Sequence, residues 1–498
     1  MKPRNISGQQ EGAPDGAGLE PTLTGGDQGD GRVVKSRAEL PVSVQTILAL
    51  AMPTLIEQLF SVGIGVTDTI VAGHTGATPE SRAAAAAAVG AMTYLQWLAQ
   101  LTAAALGVGA TAIVSRAIGA KRPRLANRVA GTACSAAFLI GLAMALIFYM
   151  FAPQLVWLFQ LKGLAQEYGV VYLRIMCLTV CFQTAGQIGM ACLRGAGDTL
   201  RPLMVTIAVV LMNGIASPAL TFGWWGLPAW GVKGNATGTL LAFIVAGVMT
   251  ALFLLSEKAG LKLRLRHFKI VPHILARVGR VALPSWVENI LLWGGQTSIV
   301  LLVMGQVDDA IGVSGATLAA HNATLRIESM AFLPGFGFGI AASALVGQYL
   351  GAKKPQEAQH AAVLCNRLAV GTMTVAALPM IFFSRYLLGF MVDSEPVVAT
   401  GVWPLIIAGL AQPGFAVAII KSAALRGAGD THSPMLSTMT GMVLRVVLVV
   451  GSMVFFARNG HANWGLIVVW VCIFLDLNYR AIFTSTVFAR GKWKHKKV

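Results

Sequence analysis

The chain writes LRGAGDTLRP at 193–202 and LRGAGDTHSP at 425–434, identical at eight of ten positions and 232 residues apart. A second phrase keeps the same offset: IGAKRPRLA at 118–126 returns as LGAKKPQEA at 350–358. Pro53 in MPTLIE returns as Pro284 in LPSWVE, 231 residues on, and each proline stands four residues before a glutamate, Glu57 and Glu288. Matches at one offset along most of a chain mark an internal duplication, which governs how every local motif is read.

The segments between these phrases are apolar. Of 498 residues, 55% are hydrophobic and only 12% charged. A soluble domain carries about 25% charged residues, so there is too little polar surface here to cover a globule. A hydrocarbon core about 30 Å thick needs roughly 20 apolar residues per helix. Apolar runs between Gly, Pro and charged breaks give twelve spans, six per half: 43–71, 83–114, 129–151, 167–192, 203–222 and 234–256, then 281–305, 316–346, 362–384, 399–423, 435–457 and 464–489. Six is even, so both copies enter the membrane the same way. The expected fold is an all-α integral membrane protein with two six-helix lobes, 43–256 and 281–489, related by a parallel pseudo-twofold along the membrane normal. Residues 257–280 carry seven basic residues and read as a linker. Residues 1–42, polar and Gly-rich, read as a disordered cytosolic tail, and 490–498 as a basic one.

Charge orients the spans. Loops 115–128, 193–202, 257–280, 347–361 and 424–434 hold 17 Lys and Arg, against 5 in the alternate loops. The positive-inside rule places the first set, and both termini, in the cytosol of a multi-pass protein of the inner (plasma) membrane. The net charge of +17 thus reflects topology rather than nucleic-acid binding. All six cysteines lie in apolar stretches and read as packing residues rather than a disulfide framework.

The glycine-rich phrase reads as a turn. RGAGDT lacks the third glycine and the strand–helix context of a dinucleotide site, and no P-loop, HExxH, GxSxG or CxxC pattern occurs. The chain is therefore not expected to be an enzyme, nor to carry a metal or cofactor. Gly195 or Gly197 supplies a left-handed helix stop, Asp198 or Thr199 caps the next helix, and Arg194 sits where a helix C-terminus favours cations. Arg426 and Asp430 repeat this in the second half. Arg194, Asp198, Arg426 and Asp430, with Pro53 and Pro284, are the candidate turn or gating elements.

Carboxylates at bilayer depth cost at least about 2.5–3.5 kcal/mol each and demand a reason. Glu57 and Asp68 share the first span, eleven residues apart. Eleven steps of about 100° return both to one face, roughly 16 Å apart along the axis. Pro53, Gly63 and Gly65 on the same helix allow it to bend. Asn213 and Ser217 form a neutral i,i+4 pair on the fifth span, and facing a carboxylate such a pair can hold a proton or Na⁺. Asp68, Asn213 and Ser217 are the candidate ion-coupling residues. Glu57 and Glu288 read either as a substrate or proton relay or as hydrogen-bonded packing residues. Arg326 with Glu328, and Asp476 with Arg480, read as local charge compensation. Arg445 occupies the repeat position of Asn213, so the halves differ chemically there.

These residues carry a resemblance. VTDTIVAGHTG, GAKRP, LRGAGDT and AAHNATLRIESMAFLPGFGFGIAASALVGQYLGAKK (319–354) resemble the bacterial members of the multidrug and toxic compound extrusion (MATE) family over about 43–490. The resemblance implies two six-helix lobes around a central cleft. It also implies antiport of bulky, often cationic compounds against H⁺ or Na⁺ by a protein expected to work as a monomer. Its first-helix aspartate is matched by Asp68, fifteen residues after Pro53, and its fifth-helix asparagine by Asn213, with Ser217 one turn on. The seventh- and tenth-helix acids of the NorM-like branch fall here on Leu292 and Phe415, so the acidic pattern is closer to DinF-like members. The alternative function is a flippase or exporter of a lipid-linked precursor or metabolite.

Overall fold

The structure, a computed structural model, describes residues 39–256, 261–311, 315–458 and 464–496; most of the expected tail 1–42 and the end of 490–498 lie outside them. The twelve apolar runs become twelve long helices, with two short ones between them. In chain order these are α1 (Val44–Gly73), α2 (Pro79–Gly119), α3 (Pro123–Met150), α4 (Ala152–Leu158), α5 (Leu164–Gly195), α6 (Leu200–Phe222) and α7 (Val232–Leu255). The second half repeats the series as α8 (Pro272–Ile311), α9 (Ala316–Gly351), α10 (Pro355–Phe382), α11 (Ser384–Met391), α12 (Glu395–Gly427), α13 (His432–Arg458) and α14 (Gly465–Ala489). Eleven of the described helices are long and apolar enough to cross a membrane; the twelfth long helix is the 40-residue α8.

Helix packing obeys the duplication. In the first half α2 packs on α5, α5 on α3 and α7, and α1 on α6; in the second α9 packs on α12, α12 on α10 and α14, and α8 on α13. Between halves the contacts run α1 to α9, α8 to α2, and α2 to α9. This is a pseudo-twofold pattern in which the first helix of each lobe also leans on the other lobe. Ile47, Leu50 and Ala51 of α1 are buried in a core built mainly from α9, α10 and α12, with Phe488 and Trp493. Ile274 and Val278 of α8 are buried in the core of α2, α3 and α5.

That last contact corrects the expected linker. Residues 272–280 are not connecting chain but the first turns of α8. Ile274 and Val278, four apart, form a buried stripe, while Arg277 and Arg280 lie on other faces. A count of basic residues hides an amphipathic turn of this kind.

The repeated phrases are helix–turn–helix corners. In each copy of RGAGD the second glycine is left-handed, with Gly197 at φ 91° and Gly429 at φ 81°. Asp198 N–H donates to Leu193 O at 3.0 Å and Gly197 N–H to Arg194 O at 2.9 Å; the copy gives 2.8 Å for both Asp430 to Leu425 and Gly429 to Arg426. This six-to-one and inner pairing satisfies the last helical carbonyls. Asp198 then caps α6, its carboxylate accepting from Arg201 N–H at 3.2 Å and pairing with the Arg201 guanidinium. GAK(R/K)P ends α2 and α9 by the same device with a lysine in the left-handed position, Lys121 at φ 56° and Lys353 at φ 60°.

Candidate functional site

Asp68 lies near the C-terminal end of α1, five residues before Gly73, and is buried at 8% exposure. Asn213 Nδ2 donates to its Oδ1 at 3.1 Å and Thr239 Oγ1 donates to the same oxygen at 2.9 Å. Asn235 Nδ2 donates to the Asp68 backbone carbonyl at 3.1 Å. Asn213 Nδ2 also approaches Ser217 Oγ at 3.1 Å and Thr239 Oγ1 at 2.9 Å. Three helices therefore meet at one carboxylate: α1, α6 and α7. All five side chains are buried, and no Lys, Arg or His pairs with Asp68 among the described residues.

Such an arrangement leaves a negative charge desolvated and held only by neutral donors, a costly state away from water. It also leaves acceptors without donors. Asn213 Oδ1 and Asn235 Oδ1 are buried and unpartnered. Amide oxygens of this kind are hard ligands that alkali and alkaline-earth cations take. Asp68, Asn213 and Ser217 are thus brought together. Thr239 and Asn235 were not anticipated, although the signal was present. They stand i,i+4 on the next span, the same polar spacing as Asn213 and Ser217.

Glu57 and Glu288 are placed elsewhere. Glu57 pairs with Arg194, and Glu288 with Arg426 at 2.6 Å. Thr438 Oγ1 adds a bond to Glu288 Oε1 at 2.9 Å. Each glutamate thereby ties the first helix of its half to the RGAGD corner of the same half. Each keeps one oxygen, Oε2, buried and unpartnered. Neither touches the Asp68 group.

The corners are also braced across the halves. Arg116 at the end of α2 donates through Nη2 to Ala428 O at 2.8 Å, and its repeat counterpart Gln348 at the end of α9 donates to Gly195 O at 3.0 Å. α2 and α9 cross at Gly119 and Gly351, also repeat-matched. A Cβ on Gly119 would lie 1.9 Å from Gln348 O, and one on Gly351 2.2 Å from Arg116 O. The two lobes are closed against each other at this end.

The second half holds a different buried cluster. Arg480 donates to Asp476 at 2.7 and 2.8 Å, and Arg445 pairs with the same carboxylate. Glu328 lies buried with Gln412 Nε2 at 3.4 Å. Arg326 is exposed and does not pair with Glu328. Residues two apart on a helix do not share a face, so the expected compensation fails there. His321 lies against Trp470, ring centroids 5.6 Å apart and the planes tilted by 53°, with neither ring nitrogen hydrogen-bonded. All six cysteines are free, buried thiols.

The MatE family profile matches residues 53–218 and 284–450, one block in each half. A probable multidrug resistance protein NorM of Thermotoga maritima is 25% identical over 467 residues, covering 93% of this chain and 96% of that one. A multidrug resistance protein NorM of Burkholderia vietnamiensis is 28% identical over 401 residues, covering 79% and 83%. Among solved structures, a MOP superfamily transporter from Pyrococcus furiosus superposes with a TM-score of 0.80 at 20% identity, over 94% of this chain and 99% of that one. An outward-facing multidrug resistance MATE family transporter gives 0.79 at 22% identity, over 93% and 99%. With both repeat blocks matched and its twelve helices arranged in two six-helix lobes, the chain belongs to the MatE family of multi-pass membrane transporters and is not an enzyme.

Proposed function

We propose that this protein is a secondary active multidrug efflux transporter, exporting bulky, often cationic compounds by antiport against H⁺ or Na⁺. It lies in the plasma membrane as a monomer with both termini cytosolic, so the braced RGAGD corners close the cytosolic end. One observation carries the reading: Asp68, a buried carboxylate that no cation balances among the described residues, set among neutral groups on three helices. A carboxylate already paired with arginine cannot gain or lose much by binding a cation. One held by Asn213 and Thr239 alone can. Its acidic pattern, with Leu292 and Phe415 where the NorM-like branch has acids, groups it with DinF-like members.

With the cytosolic end closed, an external H⁺ or Na⁺ reaches Asp68 and cancels its charge. The bonds from Asn213 and Thr239 then weaken, and α1, interrupted by Pro53 and softened by Gly63 and Gly65, changes its bend. Drug leaves outward; reopening to the cytosol exchanges the ion for the next substrate. A ligand shifts such an equilibrium only by its difference in affinity between the two states, and Asp68 supplies that difference.

The test is substrate counterflow in proteoliposomes, with Na⁺ and pH gradients imposed separately. Asp68→Asn is expected to lower ion-driven transport by about tenfold or more, a loss of about 1.4 kcal/mol of coupling, while a fluorescent cation still binds. Undiminished gradient-driven transport by Asp68→Asn overturns the assignment. Failure of the wild-type chain to move any organic cation without a lipid substrate favours the lipid-linked alternative.

A further inference from the structure

The C-terminal segment does not hang free. After α14 the chain turns at Gly491 and forms a short 3-10 turn, Lys492–His495. Trp493 is buried at 1% exposure, stacked on Phe488 with centroids 4.7 Å apart and donating Nε1–H to Phe488 O at 2.9 Å. Lys496 is held at both ends. Its Nζ pairs with Asp430 at 2.7 Å, and its carbonyl accepts from Arg116 Nη1 at 2.6 Å. The segment is therefore built into the brace between the lobes.

Docking it creates a cavity of ≈ 290 Å³ lined by Asp430, His432, Ser433, Val487, Arg490, Lys492, Trp493 and Lys496. Drug-sized pockets begin at about 300 Å³, so the space suits a small group. Its one carboxylate, Asp430, is already answered by Lys496 and Ser433. The first half answers the matching Asp198 with Arg201 from its own helix; the second has Ser433 there and borrows Lys496 instead. Arg490 and Lys492 remain exposed and without an ion-pair partner among the described residues. The unspent charge is positive. A cationic drug is repelled, and an anion is drawn in.

The surroundings say which anion. On α13, Leu436, Met439, Val443, Val447 and Val450 are exposed at helical spacing, and this stripe leads down to His432. On α14, Val471, Leu475 and Ile482 are exposed in the same way, and Arg490 follows the end of the helix. The two helices pack on each other. A soluble phosphate makes no use of these stripes. A phospholipid uses both them and the cations, with acyl chains along α13 and α14 and the phosphate between Arg490 and Lys492. Basic residues at a membrane surface draw anionic lipids by about 1 kcal/mol each.

We infer that the cavity between the start of α13 and the docked C-terminal segment is a binding site for the phosphate headgroup of an anionic phospholipid. Through Lys496 and Arg116, the bound lipid fastens the brace that closes this end of the transporter. The leaflet rests on the proposed orientation, but the binding itself does not, and it is measured without transport.

The experiment takes the purified, delipidated full chain in neutral detergent. Short-chain phosphatidylglycerol, short-chain phosphatidylcholine and inorganic phosphate are titrated in turn, with bound ligand read by native mass spectrometry and by the unfolding temperature. The wild type is expected to prefer phosphatidylglycerol. The double variant Arg490→Gln/Lys492→Gln is expected to bind it about thirtyfold more weakly, two cations at about 1 kcal/mol each. Arg122→Gln, an exposed basic residue outside the cavity, is expected to leave binding unchanged. Equal binding of phosphatidylcholine, or unchanged binding by the double variant, overturns the site. Inorganic phosphate binding as tightly as the lipid overturns the lipid as its occupant.

Discussion

Asp68 in the first lobe and Asp476 in the second are both buried and sit in opposite settings. Asp68 accepts from an amide and a hydroxyl and pairs with no cation among the described residues. Asp476 is gripped by Arg445 and Arg480. Arg445 stands at the repeat position of Asn213, while neither aspartate has an acidic counterpart in the other copy, where Ile244 matches Asp476, so the two clusters are built from unmatched positions. The corners teach the converse. Glu57–Arg194 and Glu288–Arg426 are the same pair written twice. Duplication is kept at the corners and abandoned at the two buried aspartates, the division that the proposed ion coupling at Asp68 requires.

The sharpest way to break this contrast is Asp476→Asn. It strands two buried guanidinium groups, and losing one member of a buried ion-pair network typically costs about 3–5 kcal/mol. The expected outcome is a large fall in unfolding temperature in detergent, with ion dependence retained by the folded fraction in proteoliposomes. If Asp476→Asn leaves stability intact and removes ion coupling, the division of labour between the lobes is wrong. Asp68→Asn should do the reverse, sparing stability and removing coupling, because it replaces a desolvated charge by a neutral isostere.

Much of this was legible in the chain itself, for identifiable reasons. The spans, the repeat and the corners are local patterns: apolar length, a fixed offset, Gly followed by Asp. Asp68, Asn213 and Ser217 were legible because a polar group in an apolar span is conspicuous. Thr239 and Asn235 were overlooked because hydroxyls and amides near a span's start look like interface residues until the partner helix is seen. The Arg116 and Gln348 braces were hidden for a different reason. They occupy matching positions yet differ in charge, and each bonds to a backbone carbonyl, which no sequence pattern records. The first turns of α8 were misread because their arginines outweighed Ile274 and Val278 in a charge count.

A smaller effect is expected from the corner pairs, and it sharpens the symmetry. Glu57→Gln and Glu288→Gln each replace a charge-assisted bond by a neutral one, for about 1–2 kcal/mol apiece. Glu288 is expected to cost slightly more, since Thr438 also donates to it. Parallel falls in unfolding temperature, with drug binding unaffected, are the expected result. A selective loss of transport in Glu57→Gln alone would instead make that glutamate part of the ion path.

The least effect is expected where the copies differ only in which cation answers a cap. Burial pushes the Asp430 carboxyl up, but the bonds from Lys496 and Ser433 and the Lys496 charge outweigh it and hold it below the usual carboxylate range. A carboxylate whose folded value is depressed stabilises fully above its unfolded value, near 3.9, and loses that contribution only as the pH falls through the folded one. The Lys496 latch should therefore stay fastened throughout neutral and mildly acidic conditions. Tryptic cleavage after Lys492 and Lys494 should be flat between about pH 6 and 8 once corrected for protease activity, because Asp430 remains ionised there. Asp430→Asn should speed that cleavage about two- to fivefold, the modest factor of a pair whose lysine is partly solvated. Ser433→Arg recreates the Arg201 arrangement of the first half, satisfies Asp430 from its own helix, and should release the segment almost as well. If Ser433→Arg leaves the segment as protected as before, Lys496 is held by Arg116 and the Trp493 stack rather than by the carboxylate, and the two corners are more alike than their caps suggest.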